Sequence, residues 1–231
     1  MEGNQGKRAV LAFVGIAVLV IAVVGVSFAF FTYSRTGSGN NIITAGKITF
    51  NFADGNYIKL LNHFPISTSQ GVALTGTNNT CTFTVTGNTT SGSTINFAVW
   101  AVPGDTPANV ADIDAEQYTT RFADSEVFVN IQAATASGAS FTPAMSASQG
   151  VAISTLASTA SNAGTPPTNG KLLGTGTITG SGANVTQNFT VRMWVDSSVV
   201  YVDDVTATHH YTAEAYSHLY YTMKIAVTAQ Q

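Results

Sequence analysis

Apolar residues alternate with small polar residues along most of the chain after residue 30. In the segment 80–86, for example, Cys81, Phe83 and Val85 alternate with threonines. This period of two is typical of β-strands that bury one face. It predicts further strands around 48–52, 95–101, 127–133, 189–195 and 221–227, with weaker ones near Ile153 and Ile178. No amphipathic helix of useful length is predicted, so we expect an all-β chain of antiparallel strands.

Turn-forming residues separate these predicted strands, and the segment 165–170, T-P-P-T-N-G, is the clearest loop. The wider stretch 134–169 is low in charge and is interpreted either as a surface insertion or as an irregular edge. About eight strands without an internal repeat favour a jelly-roll-like antiparallel β-sandwich. Few Lys or Pro residues protect its edges, which would be open to pairing with another strand.

A membrane-type leader precedes the predicted strands. Lys7 and Arg8 are followed by an uncharged apolar run over 9–31, which is long enough to span a bilayer as a helix. Small residues stand at Ser27 and Ala29, the two positions that signal peptidases inspect. The sequence therefore predicts a hydrophobic signal peptide over 1–29, removed between Ala29 and Phe30.

Two alternatives to this cleavage remain open. The leader can stay as an uncleaved amino-terminal anchor, or cleavage can follow Arg8 and leave the apolar helix in place, as in archaeal type IV pilins. These interpretations differ in the mature amino terminus, which is Phe30 after signal-peptide removal, Met1 for the anchor and Ala9 for the pilin-like cut.

Signal-peptide removal would leave a short aromatic strand at the new amino terminus, made of Phe30, Phe31, Thr32 and Tyr33. The polar residues that follow, as far as Asn40, have the composition of a linker. Fully extended, 30–40 spans roughly 36 Å at about 3.3 Å per residue, so this arm can reach a neighbouring subunit. Donation of the strand to the next subunit is a head-to-tail contact that builds a filament. Pairing with its own domain, 41–231, is the other possibility that the residues allow.

The composition excludes several classes of partner and site. Charged residues make up 9% of the chain and the net charge is -3, so there is no basic patch that would favour nucleic acid. Cys81 is the only cysteine, which excludes an intramolecular disulfide and a multi-cysteine metal site. Its position on the apolar side of its strand predicts a buried core residue.

No catalytic motif is present: the sequence lacks G-x-S-x-G, a phosphate-binding loop and a Cys/His nucleophile pair. A group of polar residues near the end, three of them at strand parity, is interpreted as surface rather than zinc ligands: His209, His210, Glu214 and His218. A second group lacks the glycine of an EF-hand and is interpreted as a solvated acidic loop: Asp112, Asp114 and Glu116. We predict a protein that is not an enzyme and has no cofactor or metal.

Trp100 and Trp194 lie opposite the apolar side of their predicted strands. A large aromatic side chain on that side has several explanations. It can line a second layer, an acceptor groove or a lateral contact between filaments, or it can pack under a loop. The sequence leaves these explanations open.

Four Asn-x-Ser/Thr motifs are possible N-glycosylation sites in a chain that is expected to be exported. They begin at Asn78, Asn88, Asn184 and Asn188. Asn88 lies in a predicted turn, and Asn188 is predicted to point away from the core. Sugars would help to hydrate a surface that carries so little charge.

Several short segments resemble the TasA and camelysin family. The leader ends S-F-A-F-F over 27–31 and is followed by I-T-A-G-K-I over 43–48, which is similar to the end of that family's leader and its first strand. Further similar segments occur in the same order: I-K-L-L-N over 58–62, F-P-I-S over 64–67, F-T-V-T-G-N over 83–88 and K-I-A-V-T-A-Q over 224–230.

The resemblance implies a secreted jelly-roll subunit of extracellular fibres, either biofilm-matrix fibres in bacteria or bundling pili in archaea. It further implies that identical subunits are joined by amino-terminal donor strands, with lateral bundling of filaments and with signal peptidase and the membrane involved only before cleavage. TasA itself is rich in charge, so the low charge here suits the archaeal branch better. The alternative function is a monomeric surface-binding module or adhesin whose arm pairs with its own domain.

Overall fold

A computed structural model describes residues 33–36, 40–45, 48–53, 58–76, 78–104, 106–110, 113–207 and 209–230, the first three ranges as backbone only. The described strands, in chain order, are β1 (Tyr33–Thr36), β2 (Asn40–Ala45), β3 (Ile48–Ala53), β4 (Ile58–Leu61), β5 (Thr80–Asn88), β6 (Thr94–Pro103), β7 (Thr120–Arg121), β8 (Val127–Ala133), β9 (Ala139–Pro143), β10 (Val151–Ala152), β11 (Lys171–Thr179), β12 (Val185–Val195), β13 (Tyr201–Val202), β14 (His210–Tyr211) and β15 (Leu219–Gln230).

These strands form two main sheets. Sheet A has the order β1-β15-β6-β11-β9, and β4 and β7 also pair with β15; sheet B has the order β10-β8-β12-β5-β3-β2. The pairs are antiparallel except β7–β15 and the small ribbon β13–β14. The expectation of an all-β antiparallel chain is confirmed.

The described helical segments are single turns. They are α1 (Thr68–Gly71), α2 (Ala213–Tyr216) and two 3-10 turns, Pro107–Asn109 and Ile153–Thr155. The weak strand predicted near Ile153 is present as the two-residue β10, and Ile153 itself begins a 3-10 turn directly after it. No helix long and apolar enough to cross a membrane occurs among the described residues, and the leader lies outside them.

One hydrophobic core lies between the two sheets. It takes alternate residues of β6 and β15 from sheet A and of β5, β8 and β12 from sheet B, together with Leu173 and Ile178 of β11. Cys81 is 5% exposed within it, as predicted. Phe189 of β12 packs edge-on against Phe141 of β9 with ring centroids 4.9 Å apart, which joins the sheets across the core. The predicted apolar faces of these central strands are confirmed.

The outer face of sheet B is partly covered, and Trp194 lies at the centre of the covered part. Its side chain is 1% exposed. A Cβ atom placed on either Gly71 or Gly150 would come within 2.2 Å of the indole ring, so the chain approaches Trp194 from both sides where side chains are absent. Of the explanations that the sequence left open, packing under loops is the correct one for this residue.

Asp196 anchors this covered region. Its Oδ2 accepts hydrogen bonds from Trp194 Nε1 at 2.9 Å and Thr68 Oγ1 at 2.8 Å, and its Oδ1 accepts from Ser198 Oγ at 2.6 Å. The residue is 1% exposed. Burial alone would raise the pKa of Asp196, but the hydrogen bonds from Ser198, Trp194 and Thr68 outweigh burial and hold the pKa below its usual value.

Asp196→Asn should destabilise the fold, because its amide nitrogen would meet donors where a carboxylate oxygen now accepts. We expect a loss of about 2–3 kcal/mol in the free energy of unfolding at neutral pH. A lowered folded-state pKa contributes stability above the unfolded pKa of about 4, and this contribution is lost as pH falls through the folded value. Denaturant melts of both proteins should therefore converge as pH drops below about 4. Glu116→Gln on the exposed surface is the matched control. If the difference in unfolding free energy between Asp196→Asn and the parent were the same at every pH, the lowered pKa of Asp196 would be contradicted.

Candidate functional site

Strand β15 is paired along both of its edges. On one edge Met223–Gln230 pairs with β6. On the other edge Tyr220–Met223 pairs with β4 and Ala226–Ala229 pairs with β1. Strand β1 is therefore a four-residue strand at the border of sheet A, beside the end of the longest of the described strands.

Both faces of β15 next to β1 are buried. Ile225 and Val227 face the core and are each 2% exposed, while Ala226 and Thr228 face the opposite way and are 0% exposed. A strand that is buried on both faces needs partners for its backbone groups, because water does not reach them easily. The segment Ala226–Ala229 is thus a slot that requires a strand.

Trp100 and the loop 157–170 form the outer wall of this slot. The indole is 0% exposed and packs with Ala98, Ala163 and Ala226. Its Nε1 donates a hydrogen bond of 2.8 Å to Thr228 Oγ1. A Cβ placed on Gly164 would lie 3.0 Å from the carbonyl oxygen of Ala229, so the loop passes close to the backbone of β15 itself. Packing under a loop is again the correct explanation for this tryptophan, which also lies beside the slot.

The structure and the predicted arm overlap only in part. Strand β1 begins at Tyr33, the last of the four predicted donor-strand residues, and continues over Arg35 and Thr36, which composition had placed in the linker. Phe30, Phe31 and Thr32 lie outside the described residues, as does the predicted cleavage position at Ala29. Strand β2 begins at Asn40 in the other sheet, so 37–39 alone, G-S-G, joins the two sheets here.

A group of buried tyrosines lies near the other end of β15. Tyr221 donates a hydrogen bond of 2.8 Å to Asp124, and the Arg121 guanidinium lies 4.2 Å above the centre of its ring. Burial is the main reason why the pKa of Tyr221 lies far above its ordinary value. The hydroxyl therefore stays protonated and serves as a donor, which makes this cluster a structural anchor rather than a source of general base.

Two further tyrosines, Tyr211 and Tyr216, pack edge-on against each other nearby. Tyr211 donates a hydrogen bond of 2.8 Å to Glu126, and burial is the first cause that raises the pKa values of Tyr211 and Tyr216. Sequence analysis missed both clusters because the acidic partners come from the segment between β7 and β8, far from the tyrosines along the chain. Tyrosine at four positions within 211–221 was the signal present.

The structure gives positions for most residues of the two polar groups. His210 lies in β14, Glu214 in α2 and His218 just before β15. A helical turn interrupts the run, so these three residues do not share one face of a strand. Asp114 Oδ1 accepts the backbone N–H of Glu116 at 2.9 Å, which closes a local turn. Asp112 lies outside the described residues. No group of three metal-binding side chains occurs in the described part of the chain.

Three of the four possible glycosylation sites, Asn78, Asn184 and Asn188, are exposed, and Asn88 is half-buried. Asn188 points to the outer face of sheet B, as predicted, and Asn88 is the last residue of β5 rather than a turn residue.

Comparisons of the chain with protein-family models, with curated proteins and with solved structures found no match.

Thr228→Val should destabilise the protein, since the side chain keeps its shape but leaves the buried Trp100 N–H without an acceptor. We expect a loss of about 1–3 kcal/mol in the free energy of unfolding, measured by denaturant titration. Thr82→Val, the same change on the exposed face of β5, should alter stability by no more than about 0.5 kcal/mol. Equal effects at both positions would show that the hydrogen bond to Trp100 contributes nothing.

Proposed function

We propose that this chain is the structural subunit of an extracellular filament, a pilus or a biofilm-matrix fibre, in which each subunit donates its amino-terminal strand to the next. The observation that carries the proposal is the position of β1 at the border of sheet A, beside the slot along Ala226–Ala229. A terminal strand at a border is the part of a sheet that can be replaced with the least disturbance to the rest.

Strand exchange is favoured because the slot does not distinguish between copies. The β1 strand of another subunit offers the same backbone donors and acceptors to Ala226–Ala229 as the strand of the same chain, so the hydrogen bonds of sheet A are conserved on exchange. The joining segment 37–39 contains two glycines, which adopt many backbone conformations. A chain that gives one strand and receives another forms a head-to-tail contact that does not close, and the product is a filament.

A jelly-roll-like sandwich is the finer fold that we propose. Strands β5, β6, β8, β9, β10, β11, β12 and β15 alternate strictly between sheets B and A. Apart from the hairpin β2–β3, neighbours within each sheet are not consecutive in the chain, as in jelly rolls, where successive strands cross between two facing sheets. The alternation supports this architecture and leaves the amino-terminal strand as an addition at the border of sheet A.

The location and partners that we propose follow from the leader and the composition. Export through the membrane and removal of residues 1–29 by signal peptidase would free the arm outside the cell, where identical subunits are its partners. The low charge weakens repulsion between copies and is compatible with lateral bundling of filaments. The segments similar to the TasA and camelysin family support the same function, and no catalytic role is proposed.

The alternative is a monomeric surface-binding module or adhesin, either secreted or held by its leader. One observation favours it: within a single chain β1 already fills the slot beside β15, so the sheet is complete without a second copy. A pilin-like subunit that keeps its apolar helix would also fill the slot in this way. These alternatives differ from the filament proposal in which chain supplies β1.

A cysteine pair identifies the chain that supplies β1. Tyr33 and Ala229 are opposite each other, and opposed Cα atoms in antiparallel strands lie about 4.5–5.5 Å apart, which suits a disulfide. Tyr33→Cys with Ala229→Cys, in a Cys81→Ala background, should give a ladder of covalently joined chains when the exported, assembled protein is oxidised and run on a non-reducing denaturing gel. Either cysteine alone should give nothing larger than a dimer. An intramolecularly linked monomer as the sole product would refute the filament proposal.

Removal of the arm should stop polymerisation without unfolding the domain. A chain that begins at Asn40 should remain soluble, form no filaments by electron microscopy, and bind a synthetic peptide of residues 30–39 at the empty slot. The matched control peptide carries Ser34→Pro and Arg35→Pro. In a strand, successive N–H groups point to opposite edges, so one of the two prolines removes an N–H that faces β15. This peptide should bind at least about tenfold more weakly. Filaments formed equally well by the shortened chain would mean that the arm is not the donor.

A further inference from the structure

The outer face of sheet B has an uncovered part that is rich in hydroxyl and amide side chains. It lies on the pair β5–β12, where Thr86 is opposite Thr186 and Thr84 is opposite Asn188. The hydroxyls of Thr86 and Thr186 are hydrogen-bonded at 3.0 Å. The described outward positions of this pair from residue 82 to 88 and from 184 to 190 carry no charge, so the face presents a neutral surface to solvent.

Two of the glycosylation motifs meet at one end of this face. Asn88 is the last residue of β5, and Asn184 directly precedes β12. Asn88 Nδ2 donates a hydrogen bond of 2.9 Å to Asn184 Oδ1. Two acceptor asparagines 96 residues apart in the chain are therefore in direct contact.

The two asparagines differ in how accessible their amide nitrogens are. Asn88 is half-buried, is flanked by β3 through its Cα partner Thr49, and uses its Nδ2 in the contact. Asn184 is exposed and uses its oxygen. A sugar on Nδ2 of Asn184 leaves Oδ1 able to accept from Asn88, whereas a sugar on Nδ2 of Asn88 would be attached to the atom that touches Asn184.

We propose that Asn184 carries an N-linked glycan and that Asn88 does not, its amide instead holding Asn184 in place. The inference depends on export of the chain, as in the proposed function, but not on polymerisation. The face that bears Asn184 belongs to sheet B, whereas the β1 slot belongs to sheet A, so a glycan there leaves strand exchange unobstructed. It would hydrate the neutral threonine face and limit how closely this face approaches another filament.

The modification requires a lipid-linked oligosaccharide phosphate and its transferase. Nδ2 of Asn184 forms a bond to the anomeric carbon of the sugar, the bond between that carbon and the phosphate oxygen breaks, and the lipid phosphate leaves with the electron pair. One amide proton is released to a base of the transferase. The second hydrogen stays on Nδ2 and the side-chain oxygen is unchanged, so the contact with Asn88 persists after transfer.

Site-resolved mass spectrometry of the protein exported by its native host tests the inference. Digestion followed by fragmentation that keeps the glycan should find Asn184 modified in most chains and Asn88 bare; Asn78 and Asn188 are scored separately and do not enter the comparison. A bare Asn184 in the exported chain overturns the proposal, as does modification of Asn88 in place of Asn184. A glycan on Asn184 in a protein that never polymerises would contradict the filament proposal alone.

Matched variants separate the two asparagines. Asn184→Gln and Thr186→Val each destroy the motif at 184 and should lower the intact mass of the exported chain by one glycan. Thr186→Ser keeps the motif and should retain the glycan, while Asn88→Gln should leave the glycan mass unchanged. Loss of a glycan on Asn88→Gln, with none lost on Asn184→Gln and Thr186→Val, gives the opposite assignment and overturns the proposal.

Discussion

Burial of β15 on both faces is the constraint on which the rest of the structure depends. Its inward residues belong to the core between the sheets, and its outward residues lie beneath Trp100 and the loop 157–170. Each buried backbone group without a partner costs about 1–3 kcal/mol, so a strand in this position has to be paired on both edges. Strand β6 pairs with one edge from Met223 to Gln230, β7 pairs with Leu219 and Tyr220, and the other edge is divided between β4 and β1.

Each sheet covers part of its outer face by the same means: a tryptophan placed under a loop and held by one hydrogen bond to a buried acceptor. Trp100 donates to Thr228 in sheet A, and Trp194 donates to Asp196 in sheet B. In sheet B, Asn130 also fixes the covering loop, donating to the carbonyl of Gln149 at 2.7 Å. The protein therefore gains buried apolar area outside the central core, which compensates for strands whose outward residues are largely small and polar.

The central strands could be predicted from sequence because their alternation is regular and long. Most inward residues of β5, β6, β8, β12 and β15 were identified from period two alone, whereas the core residues Val185 and Leu219 at the ends of β12 and β15 were not. Alternation did not indicate that the outward residues of β15 are also buried, since threonine and alanine are equally compatible with a solvated face and with a covered one. What covers them is a loop 55 or more residues earlier in the chain, and no local pattern encodes that contact.

Short elements and side-chain contacts between distant segments were beyond prediction for related reasons. Strands of two to five residues such as β7, β9 and β10 are too short to show a period. In the polar run 209–218, the spacing of three residues was compatible with one face of a strand. Thr212 instead caps a helical turn by accepting a hydrogen bond from the N–H of Ala215, and this turn ends the alternation. The contact between Asn88 and Asn184 depends on the register of β5 and β12, which only the folded sheet defines.

The separation of β1 from β2 is the reason why we propose β1 as the strand that is exchanged. Strand β2 is paired with β3 over six residues, and β3 is paired with β5 in turn, so the border of sheet B is held without help from β1. Strand β1 has four pairs with β15 and one short connection to the rest. Its release breaks backbone hydrogen bonds worth about 1 kcal/mol each and leaves β2, β3 and the core in place. A loss of that size is within reach of an equivalent strand from a second copy, which restores the same bonds.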